Sequence, residues 1–191
     1  MGVTNLFPLP VYESDDLFIV GKKELDNLAV TYKDNVCVSA NYRVLELDVF
    51  SKLKSHIEEH IKRFVYDYLN VNEDIEFYIT ESWVNYMLKD GHHHPHHHPN
   101  SILSGVFFIS GDSSPLVLYS EENYPFKYLR LSGGDESTWI FPNIPGKLIL
   151  FPSHVNHYVE KNKSDDVRIS LSFNTFVKGN INTSPLQSLT L

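Results

Sequence analysis

The chain has 191 residues, enough for one domain with a sizeable core, and its 42% hydrophobic and 13% aromatic content argues against a disordered polymer. Sixteen Lys and Arg against 24 Asp and Glu leave a net charge of −8, which argues against a nucleic-acid backbone as the main partner, though not against a small basic patch. The single cysteine, Cys37, excludes an internal disulfide and any zinc site with two Cys ligands, and points to a reducing, cytoplasmic setting.

No apolar run approaches the roughly 18 residues of a membrane span. The start, MGVTNL, has no charged stretch leading into an apolar one, as a signal peptide would, and Leu6 stands where a myristoylation motif wants Ser or Thr.

Residues 6–12 (LFPLPVY) carry Pro8 and Pro10 and read as an edge strand or extended arm. Residues 22–31 read as a short helix. The clearest helix spans 48–69: Leu47, Phe50, Leu53, Ile57, Ile61, Phe64, Val65, Tyr68 and Leu69 recur at three- and four-residue steps, with Asp48 placed to cap the first turn. After Asn70 the period changes to that of strands. Candidates are 76–88, 102–110, 115–119, 126–131, 137–141, 147–151, 155–160 and 167–177, separated by Gly, Pro, Asn and Asp. Many short strands with turns between them predict a sandwich or jelly roll, with the helices packed outside it. The expected organisation is one domain over 1–178, with a helical buttress over about 22–69, a barrel over about 76–177, and a tail over 179–191.

Ten histidines are present, and six of them lie between 92 and 98, in GHHHPHHHP. On an extended segment, residues two apart face one way, so His92 and His94, His94 and His96, or His96 and His98 each aim two imidazoles at one point. Spacing alone does not choose among these pairs. The plain alternative is a loop of solvated histidines. A third ligand for a divalent ion has two candidates, His154 and His157 in FPSHVNHYVEKN.

Arg168 opens a strict alternation: Arg168, Ser170, Ser172 and Asn174 against Ile169, Leu171 and Phe173. The polar set must face something polar, and an arginine turned inward needs an anion, either a protein carboxylate or a carboxylate ligand held bidentately. The string His56-Ile57-Glu58-Glu59-His60 fits the inverted zinc-peptidase pattern H-x-x-E-H, but an amphipathic helix rich in charge produces such strings by chance.

Together these stretches resemble an iron(II)/2-oxoglutarate-dependent oxygenase, more narrowly the small 2OG-Fe(II) oxygenases of marine bacteria and their tailed phages. The matching pieces are Ser82 to Asn85, His96 to Val106 (HHHPNSILSGV), Pro145 to Ser153 (PGKLILFPS), His157, and Arg168 to Asn174 (RISLSFN). The resemblance covers about 80–178. It implies a double-stranded β-helix, a cupin-like jelly roll that is mostly β. It also implies the histidine register: His96 and His98 stand at the family's distance from Ser104-Gly105, and His157 follows Phe-Pro-Ser as the family's later histidine does. By the same resemblance, His96, His98 and His157 hold Fe(II). Arg168 and Ser170 bind the far carboxylate of 2-oxoglutarate, Asn85 is a further candidate contact to this cosubstrate, and dioxygen completes the reaction as a hydroxylation.

The chain departs from the wider superfamily in one ligand. That superfamily's facial triad has two histidines and a carboxylate, whereas His98 stands at the middle position and no H-x-D occurs in the chain. Phe107-Phe108 stands where relatives often carry tyrosine. Trp83, Phe107 and Trp139 are candidate wall residues. The alternatives are a three-histidine cupin-like metalloprotein that does not use 2-oxoglutarate, and a metal-binding module without turnover. The substrate and any homo-oligomer are not legible. The setting is the cytoplasm, the host's if the chain is phage-encoded.

Overall fold

The computed structural model describes residues 2, 8–26, 28–33, 35–111, 114–120, 138–181 and 189–191. In chain order come β1 (Tyr12–Glu13), α1 (Lys22–Leu25), β2 (Val30–Lys33), β3 (Val36–Ser39), two 3-10 turns, α2 (Ser51–Lys62) and a π-helical turn (Arg63–Tyr68). The strands that follow are β4 (Ile75–Met87), β5 (His93–His96), β6 (Leu103–Ser110), β7 (Leu116–Tyr119), β8 (Thr138–Phe141), β9 (Leu148–Pro152), β10 (Asn156–Val159), β11 (Arg168–Ile181) and β12 (Leu189–Thr190).

These strands form two antiparallel sheets. The larger runs β1-β9-β6-β11-β4-β3-β2, with β12 added beside β11, and the smaller runs β5-β10-β7-β8. This is the expected mostly β, jelly-roll architecture. Its long central strands show why the alternation in sequence was informative. On β9, Leu148 and Leu150 face α2 while Ile149 and Phe151 face the other sheet. On β6, Phe107 packs toward α2 and Phe108 toward the inter-sheet space. These two strands therefore each feed two cores, one under the helix and one between the sheets.

The stripe of α2 and its π turn forms the cover of the first core. Leu53, Ile57, Ile61, Phe64 and Val65 are all buried against Val84, Leu103, Phe107, Leu150, Leu171 and Phe173. The helix lies outside the jelly roll, as the change of period predicts. Its ends differ from expectation. Leu47, Tyr68 and Leu69 are exposed, and the first α-helical turn has no side-chain cap, so Asp48 does not cap it.

Other expectations need correction. The helix expected over 22–31 is only the single turn α1, after which Val30 already belongs to a hairpin with β3; the β-branched pair Val30-Thr31 favours that pairing over another helical turn. The tail is not wholly loose, because β11 runs on to Ile181 and pairs Asn180 and Ile181 with Thr190 and Leu189. The strand expected over 126–131 and the first two residues of LFPLPVY lie outside the described residues.

Two glycines serve the framework. Gly146 takes φ +90 in the turn before β9, a conformation that costs other residues, and its N–H donates to the carbonyl of Phe108 at 2.7 Å. Gly105 sits opposite Phe173 across β6 and β11, where a Cβ would overlap the ring.

Candidate metal and cosubstrate site

The inter-sheet space holds a cavity in which Asn85, His93, His96, His98, His157, Arg168, Ser170, Ser172 and Asn174 meet apolar walls that include Trp83, Val106, Leu116, Phe151 and Val159. The polar face of β11 enters it, as the alternation requires. Asn85 of β4 stands opposite Ser170, and Trp83 opposite Ser172. The smaller sheet brings the imidazoles: His96 on β5 pairs with His157 on β10. His98 follows β5 and is tied by its N–H to the carbonyl of Ser153 at 2.9 Å.

One ligand atom from each of His96, His98 and His157 lies within 4.8 Å of the others. No other histidine of the loop joins them, and His154 is exposed on the turn before β10. Hydrogen bonds fix two of the tautomers. Nδ1 of His157 lies 2.9 Å from the carbonyl oxygen of Val155, and Nδ1 of His96 lies 2.7 Å from that of His94. A carbonyl only accepts, so both Nδ1 atoms carry the proton and both Nε2 atoms keep a free lone pair. Nδ1 of His98 instead faces Nδ2 of Asn174 at 3.0 Å, an amide that also donates to Glu81 at 2.7 Å and accepts from Ser104 at 2.7 Å. His98 thus reaches a carboxylate only through Asn174.

Burial keeps the rings of His98 and His157 neutral. It pushes the pKa of His157 down to about 3 and that of His98 down to about 4. His93 is also held down to about 4, first by burial and then by the charge of Arg168. Neutral imidazoles are ready ligands for a divalent ion.

Arg168 is 1% exposed. Its Nε donates to the carbonyl of Ser114 at 3.0 Å, its Nη1 donates to Oγ of Ser170 at 2.9 Å, and its guanidinium lies 5.5 Å from the centre of the Phe108 ring. Among the described residues its Nη2 is buried with no partner, as are Nε2 of His93 and Oδ1 of Asn85 in the same cavity. Burial lowers the pKa of Arg168 to about 10, which still leaves it charged at neutral pH. A buried cation without a carboxylate beside unused polar atoms is a site short of an anion. Three imidazoles and an unpaired guanidinium in one cavity suit a divalent metal and a carboxylate ligand.

Residues 81–174 match the family described as "Putative 2OG-Fe(II) oxygenase". The matched stretch is 94 of the chain's 191 residues and contains Asn85, His96, His98, His157, Arg168 and Ser170. By this match the chain reads as an iron(II)- and 2-oxoglutarate-dependent oxygenase. Comparison with curated proteins finds no match. Among solved structures, a 2OG-Fe(II) oxygenase family oxidoreductase from Burkholderia pseudomallei is 16% identical, with a TM-score of 0.60 over 81% of this chain and 74% of that one. HygX from Streptomyces hygroscopicus, solved with nickel, 2-oxoglutarate and hygromycin B, is 12% identical, with a TM-score of 0.63 over 87% and 82%. A Pseudomonas putida prolyl-4-hydroxylase is 12% identical, with a TM-score of 0.51 over 80% of each chain. At these identities the likeness is one of fold.

The sequence reading of this chain missed His93. Between β5 and β10 the register slips, with His96 opposite His157 but His93 opposite Val159. That bulge turns His93 and His96 to the same cavity, although a period of two would separate them. Two of the expected wall residues lie elsewhere. Phe107 is buried under α2, and Trp139 is 69% exposed on β8. Trp83 lines the cavity and is half-buried near His98.

Proposed function

We propose that this chain holds Fe(II) through His96, His98 and His157, anchors 2-oxoglutarate on Arg168, and hydroxylates a C–H bond of its substrate. The observation that carries this reading is the unpartnered, buried Nη2 of Arg168 in the same cavity as the three-imidazole cluster.

The chain's own residues do the following. Val155 and His94 accept the Nδ1 protons of His157 and His96, so each ring is oriented with Nε2 free before any ion arrives. Phe108, Ser114 and Ser170 hold the guanidinium in place, so that little motion is needed when a carboxylate engages Nη2. Ser170 accepts from Arg168, and its own O–H remains to donate to that carboxylate. Asn85 is fixed by donation from Nδ2 to Ser172 at 3.0 Å and offers Oδ1 to the cavity. His96 is exposed and Trp83 half-buried, so the mouth of the site runs past them and the substrate enters there. The bound iron, 2-oxoglutarate and dioxygen supply the oxidation, in which the cosubstrate loses carbon dioxide to become succinate and one oxygen atom enters the substrate.

Three neutral ligands in place of two and a carboxylate leave one more positive charge on the metal, which favours a dianionic cosubstrate. Cys37 is free and buried, in keeping with a reducing cytoplasm, the host's if the chain is phage-encoded. The test is turnover. With Fe(II), 2-oxoglutarate and dioxygen, the protein should release succinate even without substrate, slowly, and His157→Ala should not. Equal succinate from both proteins would refute the proposal.

A further inference from the structure

A second cluster of metal-ligating side chains lies on the far side of the larger sheet, where the N-terminal segment crosses α2. Asp16, His56 and His60 each offer a ligand atom within 4.8 Å of the others. We propose that this cluster is a second divalent-cation site, suited to Zn(II), that clamps the N-terminal segment to α2.

His56 and His60 stand one turn apart, so both rings project from one face of the helix, with centroids 4.5 Å apart. Nε2 of His60 lies 3.0 Å from Oδ1 of Asp16. Nδ1 of His60 lies 2.6 Å from the hydroxyl of Tyr12. His60 is 1% exposed, so both its ring nitrogens depend on these partners. Nε2 of His56 is buried with no hydrogen-bond partner, under a ring contact with Phe18 at 4.8 Å. A buried imidazole nitrogen that nothing engages, beside a histidine–carboxylate pair, is an incomplete coordination sphere.

An ion between the three groups would take Nε2 of His60, whose single proton would then sit on Nδ1. That N–H would donate to the Tyr12 oxygen, with the Tyr12 hydroxyl proton turned away, the outer contact a ligating histidine ordinarily makes. Tetrahedral zinc with bonds of about 2.0–2.1 Å needs ligand atoms roughly 3.3 Å apart. Asp16 and His60 already meet that, and a modest rotation brings His56 in. Asp16 is exposed, which leaves water access to the fourth position.

The site is not a peptidase centre. Glu59, the acid of the H-x-x-E-H string, pairs with Arg63 on the outer face of the helix. Arg63 also approaches Asp15, which leaves Asp16 to His60. The ion's effect is mechanical: Tyr12 belongs to β1, which pairs with β9, so the clamp would join α2 to the edge of the larger sheet.

The cavity histidines would also take zinc, so the test uses the full chain carrying His96→Gln and His157→Gln, checked for native circular dichroism. After chelation it is titrated with Zn(II) by calorimetry and with Co(II) by visible absorption. One equivalent should bind, with intense low-symmetry Co(II) bands and a higher Tm. His56→Gln and Asp16→Asn lie at the rim of the core and should each lower affinity at least about tenfold, as loss of one of three ligands requires. No bound ion, or an equivalent indifferent to both substitutions, would overturn the proposal and leave Tyr12, His60 and Asp16 as a hydrogen-bonded relay only. Failure of the iron site would appear separately, as a wild type that binds one equivalent rather than two.

Discussion

Nη1 of Arg168 donates to Oγ of Ser170 at 2.9 Å, two residues along one strand and on one face of it. The contact holds the guanidinium without neutralising it. A hydroxyl carries no charge, so the buried cation still lacks an anion. A charge-assisted contact of this kind is worth about 1.5–3 kcal/mol, so Arg168→Ala should weaken 2-oxoglutarate binding by roughly ten- to a hundredfold. Isothermal titration of the Fe(II)-loaded protein without oxygen measures it. Metal affinity should change much less. Equal cosubstrate binding by the variant would move the anchor to another cation, such as Lys89; Lys127 and Arg130 lie outside the described residues.

His96→Ala, His98→Ala and His157→Ala should each lose stoichiometric Fe(II), as read by metal analysis after desalting. His92→Ala and His154→Ala should keep it, since neither joins the converging group. His93→Ala should also keep the metal but bind 2-oxoglutarate less tightly, because His93 lines the same cavity as Arg168 without joining the three converging imidazoles. Loss of metal in His94→Ala with retention in His98→Ala would put the register off by two residues.

The jelly roll, the outer helix and seven strands were legible because strands such as β6 and β9 alternate between two faces, and that period survives in sequence. The register of the imidazoles was not legible from spacing, and needed the distance to Ser104-Gly105. His93 was hidden by the bulge opposite Val159, since one extra residue inverts every face assignment after it. The hairpin β2–β3 was hidden because four-residue strands carry too little pattern to separate from a helix. Asp16 could not be placed beside His60 from sequence at all: 44 positions separate them, and only the crossing of the N-terminal segment over α2 joins them.

Gly105→Ala should destabilise the fold, by about 1–3 kcal/mol, the range for overfilling a close-packed core. The added methyl would meet the Phe173 ring, which is fully buried in the helix-side core. Denaturant midpoints measure it. Phe173→Leu in the same chain should recover part of the loss, because the clash is with that ring.

The metal-free protein should lose stability as pH falls from about 6.5 toward 4. His93 and His157 have native pKa values held down to about 4 and about 3 by burial, while the unfolded chain takes up protons near 6.5. In that window the unfolded state binds more protons, so stability falls with falling pH, by at most about 1.4 kcal/mol per pH unit for each group. Thermal melts across the range test the sign. Stability that rises on acidification would show that these rings are not buried and neutral.

If one cavity binds metal through His96, His98 and His157 and 2-oxoglutarate through Arg168, titrating 2-oxoglutarate into the Fe(II)-loaded protein without oxygen should raise a metal-to-ligand charge-transfer absorption. The visible band should saturate at one equivalent in the wild type and need far more cosubstrate in Arg168→Ala. A wild type that holds Fe(II) yet develops no such band would refute the shared cavity and favour a three-histidine cupin-like site instead.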